Sequence, residues 1–248
     1  MNLYLVYPPS SQTPDIAGFR AAHMIYKVRG SKLYIAKSRR RENGGAMVVT
    51  LSELSGGAPS SALIGEIVAE AETYDYDAVV LDSSERVTPL MSRTAEELAH
   101  AVAPKPVYVP ENLAASAPSC RVLIQTALSG GYLTRHLATA IDTYGRSRVA
   151  LEVDRVVMDF TLPALNGAGQ ELSLERAESL RNGRPLFFSD ALCVFYFIYF
   201  DGTAPHIVLY DDDMSINSKL ALAEDVGITD AFLYYPQVRG LINGIRPR

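Results

Sequence analysis

The stretch YDYDAVVLDSSE, Tyr74 to Glu85, decides the fold. Its centre, AVVL, is a short apolar, β-branched run set between acids and serines, which reads as a buried strand that ends at Asp82. Runs of the same kind recur on both sides at fairly even spacing. They are LYLVY (Leu3 to Tyr7), MIYKV (Met24 to Val28), KLYIA (Lys32 to Ala36), AMVVTL (Ala46 to Leu51), PVYVP (Pro106 to Pro110), VLIQTAL (Val122 to Leu128), RVVMDF (Arg155 to Phe160), HIVLYD (His206 to Asp211) and AFLYY (Ala231 to Tyr235).

Alanine- and leucine-rich amphipathic segments lie between many of these runs: Ser60 to Tyr74, Thr94 to Val102, Leu133 to Tyr144, Ser173 to Arg181 and Ser215 to Val226. Several open with a serine or threonine able to cap free amides. Strand and helix in alternation predict an α/β fold of the (β/α)8 TIM-barrel type, with residues 1–248 as a single domain. The surplus of runs falls in the first third, which is expected to be irregular, with a hairpin around Arg29-Gly30-Ser31 or one interrupted strand. The aromatic run Ser189 to Phe200 fits either a helix or a buried strand; its Ser189-Asp190 start favours the helix.

The 248 residues, 48% of them hydrophobic, suffice for one large core, and a formal net charge of -5 gives no electrostatic reason to hold nucleic acid. The one basic run, Lys37, Arg39, Arg40 and Arg41, reads as a solvated loop. Two cysteines, Cys120 and Cys193, make no disulfide framework. The first residues, MNLYLVYPPSSQTPD, have no basic and no apolar signal-peptide region, and no apolar run is long enough for a bilayer. The expectation is a cytoplasmic protein with no membrane partner.

In a barrel, chemistry sits at the C-terminal ends of the strands. Here those ends carry Asp82, Glu111, Gln125, Asp159 and Asp211. The stretch Tyr74 to Glu85 resembles the fourth-strand signature of the family 18 (chitinase-like) glycoside hydrolases, D-G-I-D-L-D-x-E in many members. Asp77 takes the place of its first acid and Asp82 that of its last aspartate; Val80 stands at the middle aspartate. Ser84 stands where the catalytic glutamate belongs, and Glu85 comes one residue late. The segment Pro205 to Pro236 is similar to the end of this barrel in the spore-cortex-associated branch. The passage Thr126 to Gly131 is similar to uncharacterised chitinase-like proteins of anaerobic Firmicutes. Together these resemblances cover Ala46 to the end.

The resemblance implies a site in which an aspartate holds the acetamido group of a sugar while a glutamate protonates the leaving oxygen. A serine cannot deliver that proton. The resemblance therefore implies a catalytically degenerate barrel that binds a glycan or small sugar at its strand ends, with Ser84, Gln125, Asp159, Asp211 and Tyr235 as binding residues. The alternative is an active hydrolase of N-acetylhexosamine-containing glycans, with Asp82 orienting and Glu85 or Glu111 as proton donor. Either way no cofactor and no metal is expected.

Plainer readings stand beside these. Asp82 can cap the next helix or meet an arginine, Glu111 can be a loop residue, and Asp211 to Asp213 can cap the helix that opens near Ser215. Ser129-Gly130-Gly131 and the glycines Gly167 and Gly169 read as loops. Tyr7, Tyr108, Phe160, Tyr210, Tyr234 and Tyr235 are candidate sugar platforms near strand ends. The chain has no tryptophan, the usual floor of the family 18 pocket, and Tyr234 or Tyr235 occupies that region.

Overall fold

The parallel sheet implied by the apolar runs closes on itself. In the computed structural model, which describes residues 1–11, 14–36, 41–83, 87–164 and 169–246, eight parallel strands form a barrel. They are β1 (Asn2–Tyr7), β2 (Phe19–Gly30), β4 (Ala46–Leu54), β5 (Ala78–Asp82), β6 (Val107–Pro110), β7 (Arg121–Gln125), β8 (Val149–Val153) and β14 (Asp230–Tyr234). The first strand lies between the last and the second, pairing Leu5 with Leu233 on one side and with Ala21 on the other. A short antiparallel strand, β3 (Lys32–Ile35), folds back on β2 through Gly30, whose φ of 62° suits the turn. The irregular first third thus contains the hairpin.

Helices α1 (Ser61–Thr73), α2 (Pro89–Ala101), α3 (Glu111–Ala114), α4 (Leu133–Tyr144) and α6 (Asp213–Asp225) follow barrel strands or the segment that replaces one. One more unit, described below, lies between β8 and α6 and holds α5 (Leu174–Arg181); the short α7 (Tyr235–Val238) follows β14. The sequence dictates the helix starts. Ser60 accepts from the Leu63 amide, Thr88 from Met91 beside Pro89, and Asp212 from Ser215, whose own hydroxyl accepts from the Asp212 amide. The expectation that the Asp211 to Asp213 run caps this helix holds for Asp212. The described residues between β1 and β2, and between β2 and β4, form no helix.

Outward-facing residues such as Met47, Val79 and Val107 pack under α1 and α2, while Leu5, Ile124 and Leu151 pack under α4 and α6. Inward-facing residues form the barrel's own filling: Tyr4, Ala22, Val48, Val80, Tyr108, Leu123, Ala150 and Phe232. Tyr4 stacks on Phe232 at 4.6 Å and Tyr108 meets the same ring edge-on at 4.9 Å. The lower end is sealed by polar groups. There Arg121 donates to Asp230 at 2.8 Å and to the Tyr108 hydroxyl at 3.1 Å, and Asn2 donates to the other Asp230 oxygen at 2.9 Å.

Gly45 shows why a glycine opens β4. Its φ is 74°, and a Cβ there would stand 2.0 Å from the Ala21 carbonyl oxygen. The close approach lets β4 enter beside β2.

Between β8 and β14 the chain makes a second, antiparallel sheet. Its strands β9 (Val157–Thr161), β10 (Gln170–Glu171), β11 (Phe187–Ser189), β12 (Val194–Phe200) and β13 (Pro205–Tyr210) run in the order β10-β9-β13-β12-β11. Two expectations change here. The runs RVVMDF and HIVLYD pair with each other in this sheet and are not barrel strands. The aromatic run Ser189 to Phe200 is not a helix but strand β12 with the end of β11, because its backbone pairs antiparallel with β11 on one side and with β13 on the other, Phe188 facing Phe195 and Ile198 facing Ile207.

The root of this insertion is a buried ion pair. Lys219 on α6 and Asp211, 1% and 0% exposed, meet at 2.5 Å. Asp211 also accepts from the Val156 amide at 2.8 Å and the Ser215 hydroxyl at 2.7 Å, so it ties the entry of the insertion to its exit. Removing one partner would leave the other charge buried and uncompensated. Lys219→Met is expected to lower unfolding free energy by about 3–5 kcal/mol. The double variant with Asp211→Asn should recover part of that loss in urea denaturation; equal stability of Lys219→Met and wild type would show that the pair is not what holds the root.

Candidate functional site at the barrel mouth

Alternation along each strand carries every second side chain into the barrel, and at the upper rim these become polar. On β5 the inward series is Ala78, Val80, Asp82; on β8 it is Ala150, Glu152; on β14 it is Phe232, Tyr234. Asp154, one residue beyond β8, turns into the same space. Asp82, Glu152, Asp154 and Tyr234 line one cavity of about 190 Å³. Its floor is the apolar filling, with Val48, Val80, Leu123 and Phe232 below and Met24 and Pro110 at the sides.

Three carboxyls share this partly dry space, and each is affected by it. Burial pushes the Asp82 carboxyl above its ordinary value, opposed by the Thr50 hydroxyl, which donates to it at 3.3 Å across the β4–β5 pair. Burial pushes Glu152 furthest, to about 7, with repulsion from Asp154 and Asp82 adding to the effect and a hydrogen bond from Gln125 opposing it. Burial also raises Asp154, while the Lys219 ammonium behind it pulls the other way. Of the three, Glu152 is the carboxyl held protonated closest to neutral pH, the property that a proton donor needs.

The sequence-derived candidates divide sharply. Asp82 is at the mouth. Ser84 and Glu85 lie outside the described residues, as do Lys37, Arg39 and Arg40 of the basic run and Gly167. Gln125 ends β7 beside Glu152, its cross-strand partner, and so borders the site.

Glu111 is not brought to the cavity. The chain leaves the barrel at Pro110, level with Leu123, and Glu111 starts α3 with its exposed carboxylate accepting from Tyr144 of α4 at 3.4 Å. Asp159 belongs to the inserted sheet, where it holds His206 at 3.1 Å and accepts from the Tyr199 hydroxyl at 2.7 Å. Asp211 is the buried anchor of the insertion root. Tyr235 packs against Tyr7 at 4.7 Å outside the barrel filling, and its neighbour Tyr234 faces the mouth.

Glu152 and Asp154 were missed by sequence reasoning. The strand that carries Glu152 and ends just before Asp154, VALEV, is followed after two residues by the equally apolar VVMDF, and the second run drew the strand assignment. The signal present was a lone glutamate in an otherwise apolar five-residue run, which demands a special environment. Among the described residues no group of three His, Cys, Asp or Glu side chains is arranged to hold a metal ion, and no helix is long and apolar enough to cross a membrane.

No family model and no curated protein matches this chain. Solved structures share its fold. A chitinase from Chromobacterium violaceum superposes with a TM-score of 0.65 over 100% of this chain and 99% of that one, at 14% identity. The spore cortex-lytic enzyme SleL of Bacillus megaterium gives 0.64 over 99% and 74%, also at 14% identity. A family 18 chitinase from Cycas revoluta, solved in complex with (GlcNAc)3, gives 0.59 over 99% and 97%, at 12% identity. The fold is thus the chitinase-like barrel.

The state of Glu152 has a consequence for stability. Its folded value of about 7 exceeds the ordinary 4.5, so above pH 4.5 the unfolded chain gives up this proton before the folded one. Stability contributed by the group is present at low pH and is lost as pH rises towards 7, after which it is flat. Glu152→Gln is expected to match wild type near pH 4 and to exceed it by about 2–3 kcal/mol at pH 8. Urea titrations across this range test it; a constant difference at all pH values would refute the assignment.

Proposed function

We propose that this chain recognises a hexosamine-containing glycan at the barrel mouth, in the manner of a chitinase-like barrel without the family's proton donor at its usual place. The observation that carries this reading is the position of Asp82. It closes the fourth barrel strand, points into the cavity, and stands where the resemblance puts the acetamide-holding aspartate. Tyr234 supports it, offering an aromatic surface at the end of the last strand, where the family usually has a tryptophan. A sugar ring laid over the apolar floor would bury its carbon face and turn its polar groups to the three acids. The Cycas revoluta chitinase bound to (GlcNAc)3 shares this fold and gives the ligand class to try first.

Ser84 stands at the family's glutamate position, so catalysis in the family's own arrangement is not part of this reading. Both cysteines are free and buried, in keeping with a reducing compartment. Titration calorimetry with N-acetylglucosamine oligomers is the direct test. Wild type should bind saturably, and Asp82→Ala should bind about 10- to 100-fold more weakly, the worth of a hydrogen bond to a charged group. Absence of saturable binding to any hexosamine oligomer would end the proposal, as would full affinity in Asp82→Ala.

A further inference from the structure

The sequence puts a serine where a chitinase-like barrel has its acid, yet the mouth contains a carboxyl suited to that work on another strand. Glu152 points inward from β8, the seventh strand round the barrel, and lines the same cavity as Asp82 of β5. Its cross-strand neighbours are Phe232 on one side and Gln125 on the other, so the side chain rises between an apolar ring and an amide. Asp82 approaches from a wall three strands away, with Thr50 holding its other side. Asp154 stands beside Glu152 and feels the Lys219 ammonium from α6. A sugar seated over the floor would lie between these walls.

We infer that Glu152 is the general acid of a glycosidase centred on this mouth, with Asp82 and Asp154 as the carboxylates that face the sugar. The inference rests on the glycan reading and adds an activity to it. Glu152 keeps its proton to about pH 7 because burial and the two neighbouring acids disfavour its anion.

The step balances without any further reagent. As the bond between the anomeric carbon and the glycosidic oxygen breaks, its electron pair stays on that oxygen, which takes the Glu152 proton and leaves as an alcohol. The positive charge left at the anomeric carbon is stabilised by the carboxylates of Asp82 and Asp154. Water then bonds through its oxygen to that carbon and gives its proton to the Glu152 carboxylate. One water is consumed and the acid is restored.

The test compares wild type and Glu152→Gln on two substrates, the tetramer of N-acetylglucosamine and a dinitrophenyl glycoside of its dimer, with binding of the tetramer measured in parallel. The dinitrophenolate departs without protonation, so it does not need the acid. The variant, whose amide can still hydrogen-bond the sugar, should bind the tetramer within about 10-fold of wild type, lose about 100-fold or more in tetramer cleavage, and lose much less on the dinitrophenyl substrate. Wild-type tetramer cleavage should fall as pH rises through about 7, and this limb should vanish in the variant. Equal losses on both substrates would overturn the acid role in favour of a merely structural one. Binding without any cleavage by wild type would overturn the inference and leave the glycan reading intact, whereas absence of binding would overturn both.

Discussion

Closure of the sheet through β1 is the constraint on which everything else depends. Pairing β1 with both β14 and β2 removes the edges that an open parallel sheet would leave, and it turns the period of two along each strand into an inside and an outside. Only then do Asp82, Glu152 and Tyr234, from the fourth, seventh and eighth strands, face one another. In an open sheet the same residues would lie in a row several strands apart, and no cavity would exist to desolvate them.

The filling of the barrel sets the electrostatics of its mouth. Arg121, Asp230 and Asn2 close the lower end with paired polar groups, and two aromatic contacts to Phe232 fill the middle. A carboxyl placed directly above such a filling loses water on one side without gaining a cation. Glu152 has the amide of Gln125 and two carboxyl neighbours, and it responds by holding its proton. Asp82 has a threonine hydroxyl, and Asp154 has Lys219 within electrostatic reach, so each is better compensated. The difference in partners, with similar burial, divides the acids into one that keeps a proton and two better able to carry charge.

What the sequence made legible follows the same physics. AVVLD read correctly as a strand because its apolar run is isolated by polar residues on both sides, whereas its terminal acid could equally have capped a helix or met an arginine until the closed sheet placed it. The hairpin at Gly30 was marked by its glycine. VALEV escaped notice because Asp154 and Arg155 alone separate it from VVMDF, and nothing local says that the chain changes sheets between them. The aromatic run of β12 looked helical at its Ser189-Asp190 start; its true partners, β11 and β13, lie on either side of it in sequence, but their pairing is a tertiary fact. Tyr234 and Tyr235 differ by one position, and strand alternation alone decides which faces the cavity.

The insertion and the mouth are coupled through that same junction. Asp154 belongs to the site, Arg155 reaches the Asp211 carbonyl at 3.0 Å and the Tyr210 hydroxyl at 3.2 Å, and the Val156 amide donates to the Asp211 carboxylate. Three consecutive residues thus pass from the cavity rim into the root of the second sheet. Lys219 serves both ends of this passage, since it neutralises Asp211 by contact and lowers the cost of charge on Asp154 at longer range. A single buried ammonium therefore takes part both in anchoring the inserted sheet to the barrel and, against the larger effect of burial, in easing the ionisation of one of the three acids, so a change at Lys219 is felt at the insertion and at the site together.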